Sequence, residues 1–386
     1  MLDRCMKLFS CPACGLIVFF GNVRCERCSQ ELGYEPETNV MVSLRAAGDR
    51  WIASAGRHHG TAWKYCGNHV HDVCNWLLPA GSNDPLCLAC RHNVTVPDPA
   101  QPDNIVLWRK MEEAKHRLFY TALRLGLPLF DRGERSDGLG FEFLRPTDPD
   151  HPVITGHADG LITIALSEAD DSEREKRRTR LHEPYRTLLG HFRHEVGHWY
   201  WDQLVRDTRW LAPFTELFGD PAQDYGEALN RHYANGPVAG WQDTMISAYA
   251  GSHPWEDFAE TWAHYFHMID TLETGRSFGI VLSPRAEHAE VLRTSLDFDV
   301  YEPALEMAAL ATAWVALSSA LNAFNRSLGV ADPYPFVLSP KVIEKLGFIH
   351  ALVHDHHAAA AASAPEPAPS TQAQAQASAP GEQPSA

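Results

Sequence analysis

The feature that most narrows the folding choices of this chain is His194-Glu195-Val196-Gly197-His198, an H-E-x-x-H inside the stretch from Pro184 to Val205. In a helix, residues four apart lie one above the other, so His194 and His198 offer two imidazoles to one metal ion. Glu195, one residue on, reaches a water at that metal without ligating it, which is where a metallohydrolase needs its general base. Pro184 suits a first helical turn, Glu183 suits the positive end, and no proline interrupts the run, so the spacing predicts a helix over 184–205. The chain holds 21 histidines, so a helix with ordinary surface histidines is the plain alternative. It loses ground once the carboxylates further along the chain are counted.

At 386 residues the chain has room for two or three domains and a substantial core. Its 49 acidic residues against 33 basic ones, a formal net charge of -16, argue against nucleic acid as a general partner. The first residues lead into cysteines rather than an apolar signal core, so a cytoplasmic protein without a leader is expected. All nine cysteines lie between residues 5 and 90, six of them in C-x-x-C pairs. That usage points to metal ligands in a reducing compartment, not to a disulfide framework.

Cys11-Pro-Ala-Cys14-Gly15 and Cys25-Glu-Arg-Cys28 are two knuckles, the first followed by a glycine that permits the tight turn. Four thiolates close one tetrahedral zinc site. Cys66, Cys74, Cys87 and Cys90 form a second set, in which His69 and His71 compete as ligands. The all-cysteine choice is preferred because it places eight of nine thiols in two sites and leaves Cys5 spare. Closed sites have no open position for substrate, so both are expected to hold the fold. Zinc ribbons often bind other macromolecules; a protein partner is the expectation kept here, and Arg24, Arg27, Arg45, Arg50, Arg57 and Lys64 read as solvated surface.

Three prolines between Val96 and Pro102 mark a strap, dividing a head over residues 1–95 from a linker over 96–103. Helical spacing runs from Ile105 to Leu125, short strands are expected at Phe141–Leu144 and Gly160–Leu166, and the charged run Ser167 to Leu181 reads as a solvated helical face. From Glu302 to Leu328 an Ala- and Leu-rich helix is broken by Glu306, Ser318, Ser319 and Asn322, which fits a buried core helix better than a membrane span. The second domain covers 104–357. Residues 358–386 are rich in Ala, Pro, Ser and Gln and predict a disordered tail.

A zinc ion that works on substrate takes three protein ligands and a water. The metzincin route to the third would need a glycine at position 201 and a histidine at 204, where the chain has Trp201 and Leu204. Asp202 lies within reach on the same helix, but its spacing distinguishes nothing. Further on, Pro254-Trp-Glu256-Asp-Phe-Ala-Glu260 puts two glutamates on one face of a second helix. One suits a ligand, and the other suits an acceptor for the free N–H of a ligating histidine.

Together these residues resemble the gluzincin clan of zinc peptidases, in particular its lethal-factor-like branch. The chain as a whole, from the cysteine clusters to His264, is similar to bacterial zinc-binding metallopeptidases that carry an N-terminal zinc ribbon. The resemblance implies a catalytic zinc on His194, His198 and Glu256, with Glu195 as base and Glu260 behind a histidine. That branch has a tyrosine seven residues before the ligand glutamate, which makes Tyr249 the implied oxyanion donor, with His253 as second candidate. The chain departs from the thermolysin form in having Trp255 before the glutamate and Glu260 in place of an aspartate, so the choice between Glu256 and Glu260 stays open.

The resulting expectation is an α+β protein: a cysteine-rich zinc-ribbon head, then a mostly helical zincin-like domain with a small sheet. It would hold three zinc ions, one catalytic and two structural, and hydrolyse peptide or protein substrates, with no membrane partner. The rivals are a non-enzymatic ribbon module with a degenerate metal site, against which an intact Glu195 counts, and a hydrolase of non-peptide amides.

Overall fold

The computed structural model describes residues 8–146, 153, 155–180 and 186–363. The head begins with the hairpin β1 (Phe9–Ser10) and β2 (Ile17–Val18), followed by a five-stranded antiparallel meander of β3 (Glu31–Glu35), β4 (Val40–Ala47), β5 (Arg50–Ala53), β6 (Ala62–Tyr65) and β7 (Leu77–Pro79). Each C-x-x-C closes on itself: Gly15 N–H reaches Cys11 O at 2.9 Å and Ser29 N–H reaches Cys25 O at 2.9 Å. Gly15 and Ser29, each just past its knuckle, both have positive φ. The turn, not the residue type alone, sets that conformation.

The strand β8 (Asn93–Thr95) leaves the head and pairs in parallel with β9 (Gly140–Leu144). Two more strands, β10 (Gly156–Ala158) and β11 (Leu161–Ala165), complete a sheet ordered β10-β11-β9-β8, with β10 antiparallel at its edge. Alternation decides its buried face: Phe141, Phe143, Ile162 and Ile164 all point into the core. Helix α1 (Pro102–Arg124) covers the sheet and carries the apolar stripe Trp108, Met111, Leu118 and Phe119. The charged helix α2 (Asp171–Arg180) buries no side chain.

The next helix, α3 (Leu188–Leu204), begins four residues later than the proline position predicts, because Thr187 is extended and its hydroxyl accepts from Gly190 N–H at 3.0 Å. After α4 (Leu211–Phe218) and α5 (Tyr225–Asn235) comes α6 (Pro254–Ser277), the central helix, buried on almost every face. It crosses α3 at Gly197, where an added Cβ would lie 3.1 Å from the Ala259 Cα. That close approach brings together the face of α3 that carries His194 and His198 and the face of α6 that carries Glu256 and Glu260.

Helices α7 (Met307–Ser327) and α8 (Pro340–Ser363) close the far side. By length and composition α7 passes as a membrane span, yet Leu310, Trp314 and Leu317 pack into the core. Helix α8 continues past residue 358, where composition predicts the tail to begin, because five consecutive alanines favour helix. Cys5 and the remaining tail lie outside the described residues. One hydrophobic core runs from Phe9 in the head to Val353 in α8.

Candidate metal centre

His194 and His198 of α3 and Glu256 and Glu260 of α6 meet where the helices cross. His194 Nε2 and His198 Nε2 are 3.2 Å apart, and Glu256 Oε2 lies 3.0 Å from the first and 3.5 Å from the second. Zinc with nitrogen and oxygen ligands at about 2.0–2.2 Å spaces neighbouring ligands about 3.3–3.5 Å apart, so the triangle has the size of one tetrahedral face. Glu256 is 1% exposed, and its Oε2 finds no hydrogen-bond donor. A buried carboxylate oxygen without a donor, facing two imidazole nitrogens, suits a cation.

The two glutamates divide the two edges of His194. Glu260 Oε1 is 2.7 Å from Nδ1, and Ser247 Oγ donates to Glu260 Oε2 at 2.6 Å. This orients the His194 ring with Nε2 toward Glu256. Glu256 Oε1 in turn accepts from the Tyr225 hydroxyl at 2.6 Å. Asp202 stands outside the cluster: its carboxylate pairs with Arg206, and burial lifts its pKa to about 6.

Charge and burial compete at each group. Burial by itself would push the His194 imidazole down, but Glu256 and Glu260 outweigh it and hold it well above its usual range. Burial would raise Glu256, yet His198 and His194 hold it well below the usual carboxylate range. Glu260, also opposed by burial, is brought down to about 2 by His194, His264 and Ser247. In each case a group of opposite tendency, carboxylate beside imidazole, outweighs burial.

Glu195 is buried, and its charge acts on both Tyr225 and Tyr249. The Tyr249 ring lies 6.0 Å from that of His194. Burial, then the charge of Glu256, raises the Tyr249 phenol far above its ordinary value, so it keeps its proton at neutral pH. His253 is used differently: its Nδ1 accepts from Trp255 N–H at 3.1 Å as the N-cap of α6, and its Nε2 sits 3.2 Å from Gln223 O. Both nitrogens are engaged, which leaves neither for an oxyanion. Trp255 lies against His198 with ring centroids 3.9 Å apart.

In the head, Cys11 Sγ to Cys28 Sγ and Cys14 Sγ to Cys25 Sγ are both 3.6 Å. Cys66, Cys74, Cys87 and Cys90 form a second, fully buried cluster, with Cys74 Sγ 3.7 Å from Cys87 Sγ. Zinc–sulfur bonds of about 2.3 Å place thiolates about 3.8 Å apart, so both quartets fit a closed zinc site. His69 and His71 are not members of the second cluster. His69 stacks on Tyr65 and hydrogen-bonds Cys74 O at 2.9 Å, and His71 lies beside Trp108. The neighbours that do approach come from α1: His116 Nε2 is 3.6 Å from Cys74 Sγ, and Glu112 Oε2 is 3.8 Å from Cys90 Sγ.

Sequence reasoning passed over Tyr225, Ser247, Glu112 and His116. Glu112 and His116 are one helical turn apart, but none of the four sits at a motif spacing from the cysteine or glutamate it approaches, so only their positions in α1, α5 and the turn before α6 reveal them. A family described as "Putative zinc-binding metallo-peptidase" matches residues 104–352, and a zinc-ribbon domain matches residues 8–101. An uncharacterized protein of Mycobacterium bovis and uncharacterized proteins from two strains of Mycobacterium tuberculosis are each 40% identical over 355 residues, covering 91% of this chain and 96% of their own. No solved structure matches the chain.

Proposed function

Because the chain belongs to this family of zinc-binding metallo-peptidases and carries the N-terminal zinc ribbon, we propose that it hydrolyses peptide bonds as a gluzincin-type enzyme. In this reading His194, His198 and Glu256 hold the catalytic zinc. The observation that carries it is the donor triangle of those three residues, with a buried Glu256 oxygen that lacks any donor, beside Glu195.

Zinc, when bound, supplies the Lewis acidity that makes water a nucleophile near neutral pH and polarises a carbonyl. The chain's own residues do the rest. Glu195 accepts a proton from water at its carboxylate and returns it to the leaving nitrogen. Tyr249, whose phenol keeps its proton, donates a hydrogen bond to the developing oxyanion. Glu260 holds the proton on His194 Nδ1, and Tyr225 holds the Glu256 oxygen that points away from the imidazoles. The two thiolate quartets of the head hold structural zinc, for three ions per chain, and their reduced cysteines fit a cytoplasmic setting.

The test is Glu195→Gln in the full chain, with a quenched fluorescent peptide library as substrate and zinc counted per chain. Turnover is expected to fall by at least about a hundredfold while zinc content stays that of the wild type. Undiminished cleavage by the variant would overturn the assignment.

A further inference from the structure

A lysine from the far side of the molecule reaches the turn that precedes α6. Lys345 of α8 is 3% exposed, and its Nζ donates to Thr244 O at 2.8 Å and to Asp257 Oδ2, the carboxylate next to Glu256 in the chain. The same ammonium lies over the Phe218 ring of α4, 5.4 Å from its centroid. One charge therefore ties α8 to α6 and to the stretch between α5 and α6. Asp257 is itself 1% exposed, so neither partner has water to take the place of the other.

The start of that stretch lies at the surface: Gln242, Asp243 and Thr244 are exposed. Its backbone bonds there are local, Thr244 N–H and Met245 N–H both donating to Trp241 O, so they shape the turn without placing it on α6. The far end is fixed by His253, the N-cap of α6. Between these two anchors sit Ser247, whose hydroxyl donates to Glu260 Oε2 at 2.6 Å, and Tyr249, whose ring lies 6.0 Å from that of His194. An exposed turn with local bonds opens readily unless something outside it holds it, and the Lys345 ammonium is such a hold.

We propose that Lys345 is a positioning residue: by holding the Thr244 carbonyl beside Asp257 it fixes the turn that carries Tyr249, and so places that hydroxyl at the metal centre. The proposal rests on the peptidase reading above for what Tyr249 does there, though not for what holds the turn. Two measurements on the full, zinc-loaded chain separate these. Each is made on Lys345→Met and on Lys345→Met combined with Asp257→Asn, which leaves no buried charge alone should the single variant fail to fold. The first is amide hydrogen exchange. It is expected to quicken at least about tenfold over residues 245–252 and to stay as in the wild type in the cysteine-rich head and in α1. An unchanged turn, or quickening spread evenly over the chain in the double variant, overturns the proposal.

The second is the kinetics of cleavage of a quenched fluorescent peptide. Loss of the lysine is expected to lower kcat about tenfold with KM kept within about twofold, because the hydroxyl is misplaced while the rest of the cleft is not. In a Tyr249→Phe background the same loss is expected to leave kcat within about twofold, since the group it acts through is already gone. An unchanged kcat, or a fall in kcat that survives Tyr249→Phe, overturns the proposal. If the wild type cleaves nothing, the peptidase reading fails and the exchange measurement alone decides whether Lys345 holds the turn.

Discussion

Glu168 shows how a single carboxylate can anchor the frame of this site from outside it. Fully buried at the end of β11, it accepts from Arg177 and, at 3.0 Å, from Arg186, and it lies 3.2 Å from His191, one turn before His194. Burial would raise its pKa, but His191 and Arg186 outweigh burial and hold it well below its ordinary 4.5. A carboxylate depressed in the folded state contributes its stability in full above pH 4.5, and loses it as the pH falls through the lower folded value. Glu168→Gln is therefore expected to lower unfolding stability by about 3 kcal/mol at neutral pH, a loss that shrinks under acid. Denaturant titrations at neutral pH and in acid check this; equal losses at both would refute it. At this scale the ligand types were legible, since thiolate and imidazole spacing states the chemistry directly. The partners of Glu256 and of the second cysteine set were not, because a tyrosine or histidine far away in the chain carries no local mark of what it will touch.

At the scale of elements, the site depends on how closely α3 and α6 approach. Gly197 permits it: an added Cβ would stand 3.1 Å from Ala259 Cα and 3.2 Å from Trp262 Cβ. Gly197→Val is expected to force the helices apart at a cost of about 1–3 kcal/mol and to separate His198 from Glu256. Melting temperature and zinc content report both effects, and a variant that melts like the wild type with a full zinc complement would refute the argument. The existence of α1, α3, α6 and of strands β9 and β11 was readable from periodicity. Boundaries were less so: α3 starts at its Thr187 cap instead of near Pro184, and α8 runs on through an alanine tract. Capping and propensity act over single turns, which a hydrophobic pattern does not resolve.

Across the whole molecule, the head and the helical part share one interior. Trp76 stacks on His116 with ring centroids 5.1 Å apart, Phe20 meets Tyr120 at 5.6 Å, and the Tyr120 hydroxyl donates to Glu273 of α6 at 2.8 Å. The second cysteine cluster lies against Glu112 and His116, and β8 carries the head into the second sheet. Cys90→Ser is accordingly expected to remove one zinc per chain and to lower a single cooperative melting transition for the whole protein. Two transitions, with the second unchanged from the wild type, would show instead that the parts fold separately.

The sequence by itself determined the donor chemistry: two thiolate quartets, a histidine pair with its glutamate on one helix, and two further glutamates one turn apart on another. Those follow from side-chain type and from the helical and knuckle periods, which are local. Only the tertiary structure decided which glutamate faces the imidazoles and which stands behind His194, and that His253 caps a helix. Each of these depends on where α5 and α6 come to rest against α3, and that is set by packing between residues far apart in the chain, for which no spacing in the sequence is a measure.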